Sequence, residues 1–303
     1  MRTTRKKPMK MKQTAGDRIF NIVVNVVIIL AGIVALYPLL FVLSASISDP
    51  NAVNRGELWL LPIGLRWDGY VEVFKNSWIL KGYANSLYYT IIGTLLNVVC
   101  TVAAGYALSR KDLYGRKVWN WYIAIPMWIN GGLIPTYLVV NSMKLVNTPV
   151  VLLIMGLVSS YNIIICRTYM SSLPYELQEA AKIDGCSDFQ ILLRIVLPVS
   201  APIIAVLSLY YAVGHWNNYF TAMIYVNNKD WQPLQVFLRE FLLLNQTVDV
   251  DSGMELEDMI RQTELARSMK YSLIVIASVP MLIAYPFVQK FFIKGVMVGS
   301  VKG

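Results

Sequence analysis

Charge is scarce in this chain of 303 residues: 15% are Asp, Glu, Lys or Arg and 56% are hydrophobic. A soluble domain carries about 25% charged residues, which argues against an ordinary water-facing fold. Six stretches lack charge altogether: Phe20 to Ser48, Gly82 to Ser109, Val118 to Met143, Leu145 to Cys166, Ile195 to Asn228 and Tyr271 to Gln289. The acidic or basic group that a proton- or sodium-coupled carrier keeps inside the membrane is therefore missing, which counts against that class. Histidine is reduced to His215, and the cysteines are Cys100, Cys166 and Cys186, widely separated. No zinc-type ligand spacing exists, and the three sulfurs read as free thiols with a packing role. No GxxxxGK[ST] phosphate loop occurs, so any ATP-derived energy has to come from another chain.

What is present is long apolar sequence. Each uncharged stretch reaches the roughly 20 residues that a helix needs to cross about 30 Å of hydrocarbon. Helices are expected, because backbone polar groups must be paired within the segment inside lipid. A β-barrel would show alternating strands of about ten residues instead. The expected spans are about 20–48, 83–109, 118–142, 145–166, 198–227 and 271–289. The first is too long for the apolar region of a cleavable signal peptide and is expected to stay as an anchor.

The charges that remain are sorted by side. The amino-terminal tail, residues 1–18, holds Arg2, Arg5, Lys6, Lys7, Lys10, Lys12 and Arg18 against Asp17. The loop after the second span holds Arg110, Lys111, Arg116 and Lys117 against Asp112, and the carboxyl end holds Lys290, Lys294 and Lys302. Residues 49–81 are balanced, and residues 229–270 are acidic, with Asp230, Glu240, Asp249, Asp251, Glu255, Glu257, Asp258 and Glu264. The positive-inside rule then places both tails, including 295–303, in the cytoplasm, in accord with an even number of spans. The net charge of +9 is an orientation signal toward the lipid bilayer, with no nucleic-acid partner implied.

Between the fourth and fifth spans lies a polar segment, residues 172–198. It contains Glu179-Ala180-Ala181, three residues, Gly185, nine residues and Ile195-Val196-Leu197-Pro198. Ser172 as cap and Pro174 in the first turn predict a helix start. Glu176 and Glu179 lie near the positive end of its dipole. Leu177, Ala180 and Ala181 are spaced to share one face, and Gly185 suits a left-handed stop. Ser187 to Gln190 reads as a capping box opening a second helix with an apolar side of Ile191, Leu192, Ile195 and Val196. Pro198 marks the junction with the fifth span. Small alanines permit close approach of a partner, while Glu179, Lys182 and Asp184 offer ionic contacts. On these features alone an interfacial amphipathic helix is an equal alternative.

The full EAA-Gly-Ile-x-Leu-Pro spacing resembles the cytoplasmic loop of importer-type ABC permeases. The chain is similar, over nearly its whole length, to the MalG-like branch of carbohydrate ABC permeases, and within it to a Gram-positive oligosaccharide subgroup. Tyr37-Pro38, Ser46 to Pro50, Leu108-Ser109-Arg110, Gly131 to Thr136, Gly214 to Asn217 and Phe291 to Gly303 carry the resemblance further. It implies an all-α membrane protein with six transmembrane helices and a cytoplasmic EAA coupling-helix loop, the type I ABC importer permease fold, in a bacterial cell membrane. It also implies a second homologous permease subunit, a cytoplasmic ATPase dimer, an extracellular solute-binding lipoprotein and a carbohydrate substrate. ATP and Mg would sit on the partner ATPase, with no cofactor on this chain. Glu179, Ala180, Ala181, Asp184, Gly185, Leu197 and Pro198 would couple to that ATPase, and the Lys302-Gly303 end would reach it as well.

Sugars are held by aromatic faces with amide and hydroxyl partners. The expected pathway residues are Tyr211, His215, Trp216 and Asn218 in the fifth span, with Asn130 opposite. Interfacial placement of the aromatics and helix joining by Asn are the plain alternative. His215 alone reads as a packing residue rather than a proton relay. Residues 229–270 are expected to contact the solute-binding protein. Two rivals stay open: a membrane-embedded enzyme of glycan or lipid-linked sugar metabolism, for which Asp49 and Asp68 form no metal-like cluster, and a passive channel, which would need no docking loop.

Overall fold

The structure, a computed structural model, describes residues 14–244, 269–286 and 289. The tails 1–13 and 295–303 and most of the acidic loop, 245–268, lie outside the described residues. Every regular element among those described is helical.

The first helix, α1 (Ala15–Ser46), opens on a Thr14–Asp17 capping box. Its apolar surface faces outward along most of its length, and only Ser44, Ala45 and Ser46 are buried against the rest of the chain. A helix in water would not leave such a surface bare, and a span of this length and hydropathy suits lipid. Short helices α2 (Pro50–Asn54) and α3 (Asp68–Lys75) lead to α4 (Ser77–Ser109), capped by Asn76 Oδ1 at the backbone N–H of Trp78 and Ile79.

Three of the stretches expected as single helices are broken, the third, 198–227, by the bend at Ser200 and by a gap between Trp216 and Phe220. Residues 118–142 form α5 (Arg116–Ala124), a tight turn at Ile125–Met127 and α6 (Leu133–Ser142). Residues 145–166 form α7 (Val150–Ile154) and α8 (Ser160–Ser171), separated by an unwound segment at 155–159. Pro126 and Gly131-Gly132 account for the first break, since proline removes a backbone donor and Gly132 sits at φ +82°. Hydropathy reports immersion in lipid, and it is blind to a break whose freed backbone groups find partners on neighbouring helices.

Beyond α8 come α9 (Glu176–Ile183), α10 (Asp188–Ile191), one π-helical turn (Leu192–Val196) and α11 (Leu197–Val199). The chain then bends by 83° at Ser200 into α12 (Ala201–Trp216). It finishes with α13 (Phe220–Tyr225), α14 (Leu234–Leu244) and α15 (Met269–Pro286). α1, α4 and α15 are each long and apolar enough to cross a membrane unbroken, and the bent α10–α12 pair meets the same test when taken together.

α4 is the axis of the molecule. α8 and α12 pack along it, and α14 covers its beginning. Glycine allows these approaches: a Cβ at Gly105 would lie 2.7 Å from Cys166 Sγ on α8, and one at Gly93 would collide with the His215 ring on α12. One core runs from this axis into the polar loop. It joins Val102, Cys166, Met170, Ala181, Ile191 and Leu207, so the loop is packed onto the span bundle.

Candidate functional site

The loop between α8 and α12 is built around Gly185. Its N–H donates to Lys182 O at 3.0 Å, and the Cys186 N–H donates back to Ala181 O at 2.9 Å. These are the two closing bonds of a Schellman turn, which needs a left-handed residue where Gly185 stands at φ +79°. Two residues later Ser187 Oγ accepts the Gln190 N–H while Gln190 Oε1 accepts the Ser187 N–H, so the expected capping box is present. Ile191 and Val196 provide the buried side of the second helix, as their spacing indicates.

The start of the first loop helix differs from expectation. Ser172 closes α8, its Oγ donating to Tyr169 O, and α9 begins at Glu176 without a side-chain cap. Its inward face differs too. Gln178 and Ala181 are buried, one turn apart, whereas Leu177 is 44% exposed and Ala180 is exposed. Gln178 turns inward because it has a charged partner there.

That partner is Arg110, just past the end of α4 and only 7% exposed. Its Nη1 donates to Gln178 Oε1 at 2.6 Å, and its Nε and Nη2 grip Asp112 at 3.1 and 2.9 Å. Nη2 also stands 3.2 Å from Asp188 Oδ1 at the start of α10. Lys182 joins from the loop at 3.1 Å from Asp112 Oδ2. One guanidinium therefore ties the axial helix to both loop helices. Hydrogen bonds from Arg110 and then Lys182 hold the Asp112 carboxyl far below the usual carboxylate range. Burial opposes the Arg110 charge, but the hydrogen bonds to Asp112 and the neighbouring Tyr106, Asp112 and Asp188 outweigh it and raise its pKa. In the sequence Arg110 appears as one base of a positive loop and as the end of the Leu108-Ser109-Arg110 resemblance; its buried role depends on a partner 68 residues away.

Lys182 is thus turned toward its own chain, while Glu179, Ala180, Asp184 and Gly185 stand on the outer surface. Two large apolar residues not singled out by sequence flank the turn there: Ile183 at 86% exposure and Phe189 at 68%. Leu197 is half-buried and Pro198 is exposed, both just before the bend at Ser200. The result is a rigid, small-residue knob with apolar flanks and acidic edges, anchored from behind.

The fifth-span residues form two groups. Tyr211 OH meets Thr101 Oγ1 at 2.6 Å and accepts the Ser159 N–H at 3.3 Å. His215 Nε2 meets Asn97 Oδ1 at 2.9 Å, and Asn97 Nδ2 donates to Gly156 O at 2.7 Å. A carbonyl can only accept, so this bond fixes the orientation of the Asn97 amide and requires His215 Nε2 to carry the proton. Asn97 and Tyr211 together bind the unwound 155–159 segment, which explains how that break is tolerated. His215 thus joins α12 to α4 through Asn97.

Trp216 departs from the expected pathway wall. It is 2% exposed, packs edge-on to Tyr83 at 5.7 Å and donates its indole N–H to Ala277 O at 2.9 Å. Its large ring fills the seam between α4, α12 and α15. Asn218 is half-buried beyond the end of α12. Asn130 is exposed at the break before α6, where its Oδ1 accepts the Gly132 N–H at 2.9 Å, and it makes no hydrogen bond with the fifth-span group. Among the described residues no His, Cys, Asp and Glu cluster could hold a metal ion.

Comparison with known proteins gives this architecture its context. Residues 10–298 match the family described as binding-protein-dependent transport system inner membrane component. The polygalacturonan/rhamnogalacturonan transport system permease protein YtcP of Bacillus subtilis is 35% identical over 95% of this chain and 99% of its own. Protein LplC of the same organism is 33% identical over 97% of this chain and 98% of its own. The crystal structure of a bacterial ABC transporter involved in the import of the acidic polysaccharide alginate superposes with a TM-score of 0.84 at 33% identity, covering 93% of this chain and 99% of that one. The match over residues 10–298 and the two relatives make this helical chain a transport permease subunit, and it belongs to the family of binding-protein-dependent transport system inner membrane components.

Proposed function

We propose that this chain is one of two homologous permease subunits of an ATP-driven importer of oligosaccharides. The observation that carries the reading is the loop at Gly185, held rigidly by Arg110 and presenting Glu179, Ala180, Ile183 and Phe189 outward. A knob of this kind suits a cleft on a cytoplasmic ATPase. ATP and Mg act on that partner, and a solute-binding lipoprotein delivers sugar from outside. Both chain ends lie in the cytoplasm in this reading.

The mechanism follows from the anchoring. ATP-driven closure of the ATPase dimer moves its clefts, and each cleft carries a coupling loop. Because Arg110, Gln178 and Asp188 bind the loop to the end of α4, a displacement of α9 reaches α4 and the bent α10–α12 unit together. The pore then alternates between two discrete packings, biased by whichever the ATPase grips better. The sugar passes along Tyr211, His215 and Asn218, with Asn130 on the facing break and Trp216 supporting α12 from behind.

Native mass spectrometry of the tagged chain, gently extracted from its own membrane, tests the assembly. Recovery with a second permease and an ATPase dimer supports it. Recovery alone or as a homo-oligomer lacking an ATPase refutes the coupling-loop reading. Uptake of labelled oligosaccharide by the reconstituted complex, with and without ATP, tests the cargo.

A further inference from the structure

We propose that Tyr219, Gln235 and Arg239 form a subsite for the carboxylate-bearing ring of an acidic oligosaccharide. The inference rests on the import reading above and specifies the cargo's charge.

These three side chains, with Leu238 and Leu242, line a cleft of about 260 Å³ where the start of α13 meets α14. The cleft has the volume of roughly nine water molecules, enough for one pyranose ring. Arg239 lies over the Tyr219 ring, its guanidinium carbon 6.0 Å from the ring centre. Tyr219 is held in turn by the edge of Phe220 at 6.3 Å. Beyond the Tyr219 face, the described contact of the guanidinium is Met223 Sδ, and no described carboxylate lies within ion-pair distance of it. Arg239 itself is part of the cleft lining.

A uronic acid ring has three features: an apolar face, a hydroxyl edge and a planar carboxylate. A tyrosine face, a glutamine amide and an arginine fork match them one for one. A neutral sugar would use the first two and leave the arginine without a counter-charge. Position supports the assignment. The 16 residues of α12 separate this cleft from the coupling loop, a rise of about 24 Å, which puts the cleft toward the outer side in the import reading. That is the side on which a binding protein would release its sugar. The alginate relative is described as importing an acidic polysaccharide, and polygalacturonan is a polymer of uronic acid.

The test uses the whole importer in nanodiscs, locked outward-facing with ATP and hydrolysis-deficient ATPase, without binding protein. Trigalacturonate and its fully methyl-esterified form, which differ in the carboxylate charge and one methyl group per ring, are titrated calorimetrically. Arg239→Gln is expected to weaken trigalacturonate binding about tenfold, as loss of a charge-assisted bond does, and to leave the ester within about twofold. Arg239→Lys should recover part of the loss. Equal weakening of both sugars, or no change in either, overturns the subsite. So does an Arg239→Gln complex whose binding protein no longer docks although trigalacturonate binding is intact, since the arginine would then serve the protein contact. Uptake of neutral oligosaccharides alone by the wild-type importer overturns the acidic cargo but leaves import standing. No uptake of any saccharide overturns import itself.

Discussion

Replacing Arg110 by methionine should release the coupling loop while leaving the span bundle intact. The guanidinium has two kinds of partner. Asp112 and Asp188 are half or more exposed, so each ion pair contributes only about 0–1 kcal/mol. The 2.6 Å bond to the buried Gln178 amide is different. A charge-assisted hydrogen bond there contributes about 1.5–3 kcal/mol, and its loss leaves a buried acceptor without a donor. The sum centres near 3 kcal/mol, a change on the order of a hundredfold in the ratio of docked to loosened loop. Cys186 reports it, because it is half-buried against the core that holds Ala181 and Ile191. In a Cys100→Ser background, maleimide labelling of Cys186 should accelerate by up to that factor. ATP-driven uptake should fall while membrane insertion, set by the α4–α8–α12 packing, stays normal. Arg110→Lys should rescue only partly, since an ammonium cannot grip Asp112 with two parallel bonds. Unchanged labelling together with unchanged ATP-dependent uptake in the methionine variant would refute the anchoring argument.

Gly185→Val should cost about 1–2 kcal/mol through its left-handed backbone alone, because a Cβ there meets no atom within 4 Å; Gly185→Asn should be milder, and uptake by the two variants at equal membrane levels checks the order. Gly105→Ala puts a methyl 2.7 Å from Cys166 Sγ and 3.2 Å from the Arg167 backbone nitrogen, so thermal unfolding in detergent should shift by the equivalent of about 1–3 kcal/mol. The Asp112 pKa is lowered from its ordinary 3.8. Its contribution is therefore fully present above about pH 4 and lost only as pH falls below that value. A spin label at the exposed position 183 should keep constant mobility down to about pH 4 and loosen beneath it; loosening between pH 5 and 7 would contradict the Arg110–Asp112 pairing.

The parts of this molecule that depend on local chemistry were legible in the sequence. Gly185 and the Ser187–Gln190 box specify their turn within a few residues, and the turn stands where the spacing puts it. The misplaced helix start has a local cause as well: Ser172 sits where it can either close α8 or open α9, and the α8 carbonyl at Tyr169 claimed its hydroxyl. The family resemblance, and with it the helical class, rested on motifs that survive in one dimension.

What stayed hidden depends on pairs far apart in the chain. Hydropathy treats 145–166 as one apolar stretch, yet the helix breaks at 155–159 because Asn97 and Tyr211 supply the bonds that the backbone forgoes. The same two side chains looked like candidates for gripping cargo, or went unnoticed, because a polar group in an apolar run carries no label for its partner. Trp216 illustrates the ambiguity best. An aromatic with one polar atom serves a sugar face or a helix seam equally well, and only the Ala277 carbonyl and the edge of Tyr83 decide for the seam. In a membrane chain with so few charges, Asn97 and Tyr211 hold a helix break and Arg110 holds a loop. Among the described residues, Tyr219 and Arg239 hold no such break or loop and line a cleft together, which makes them available to a ligand.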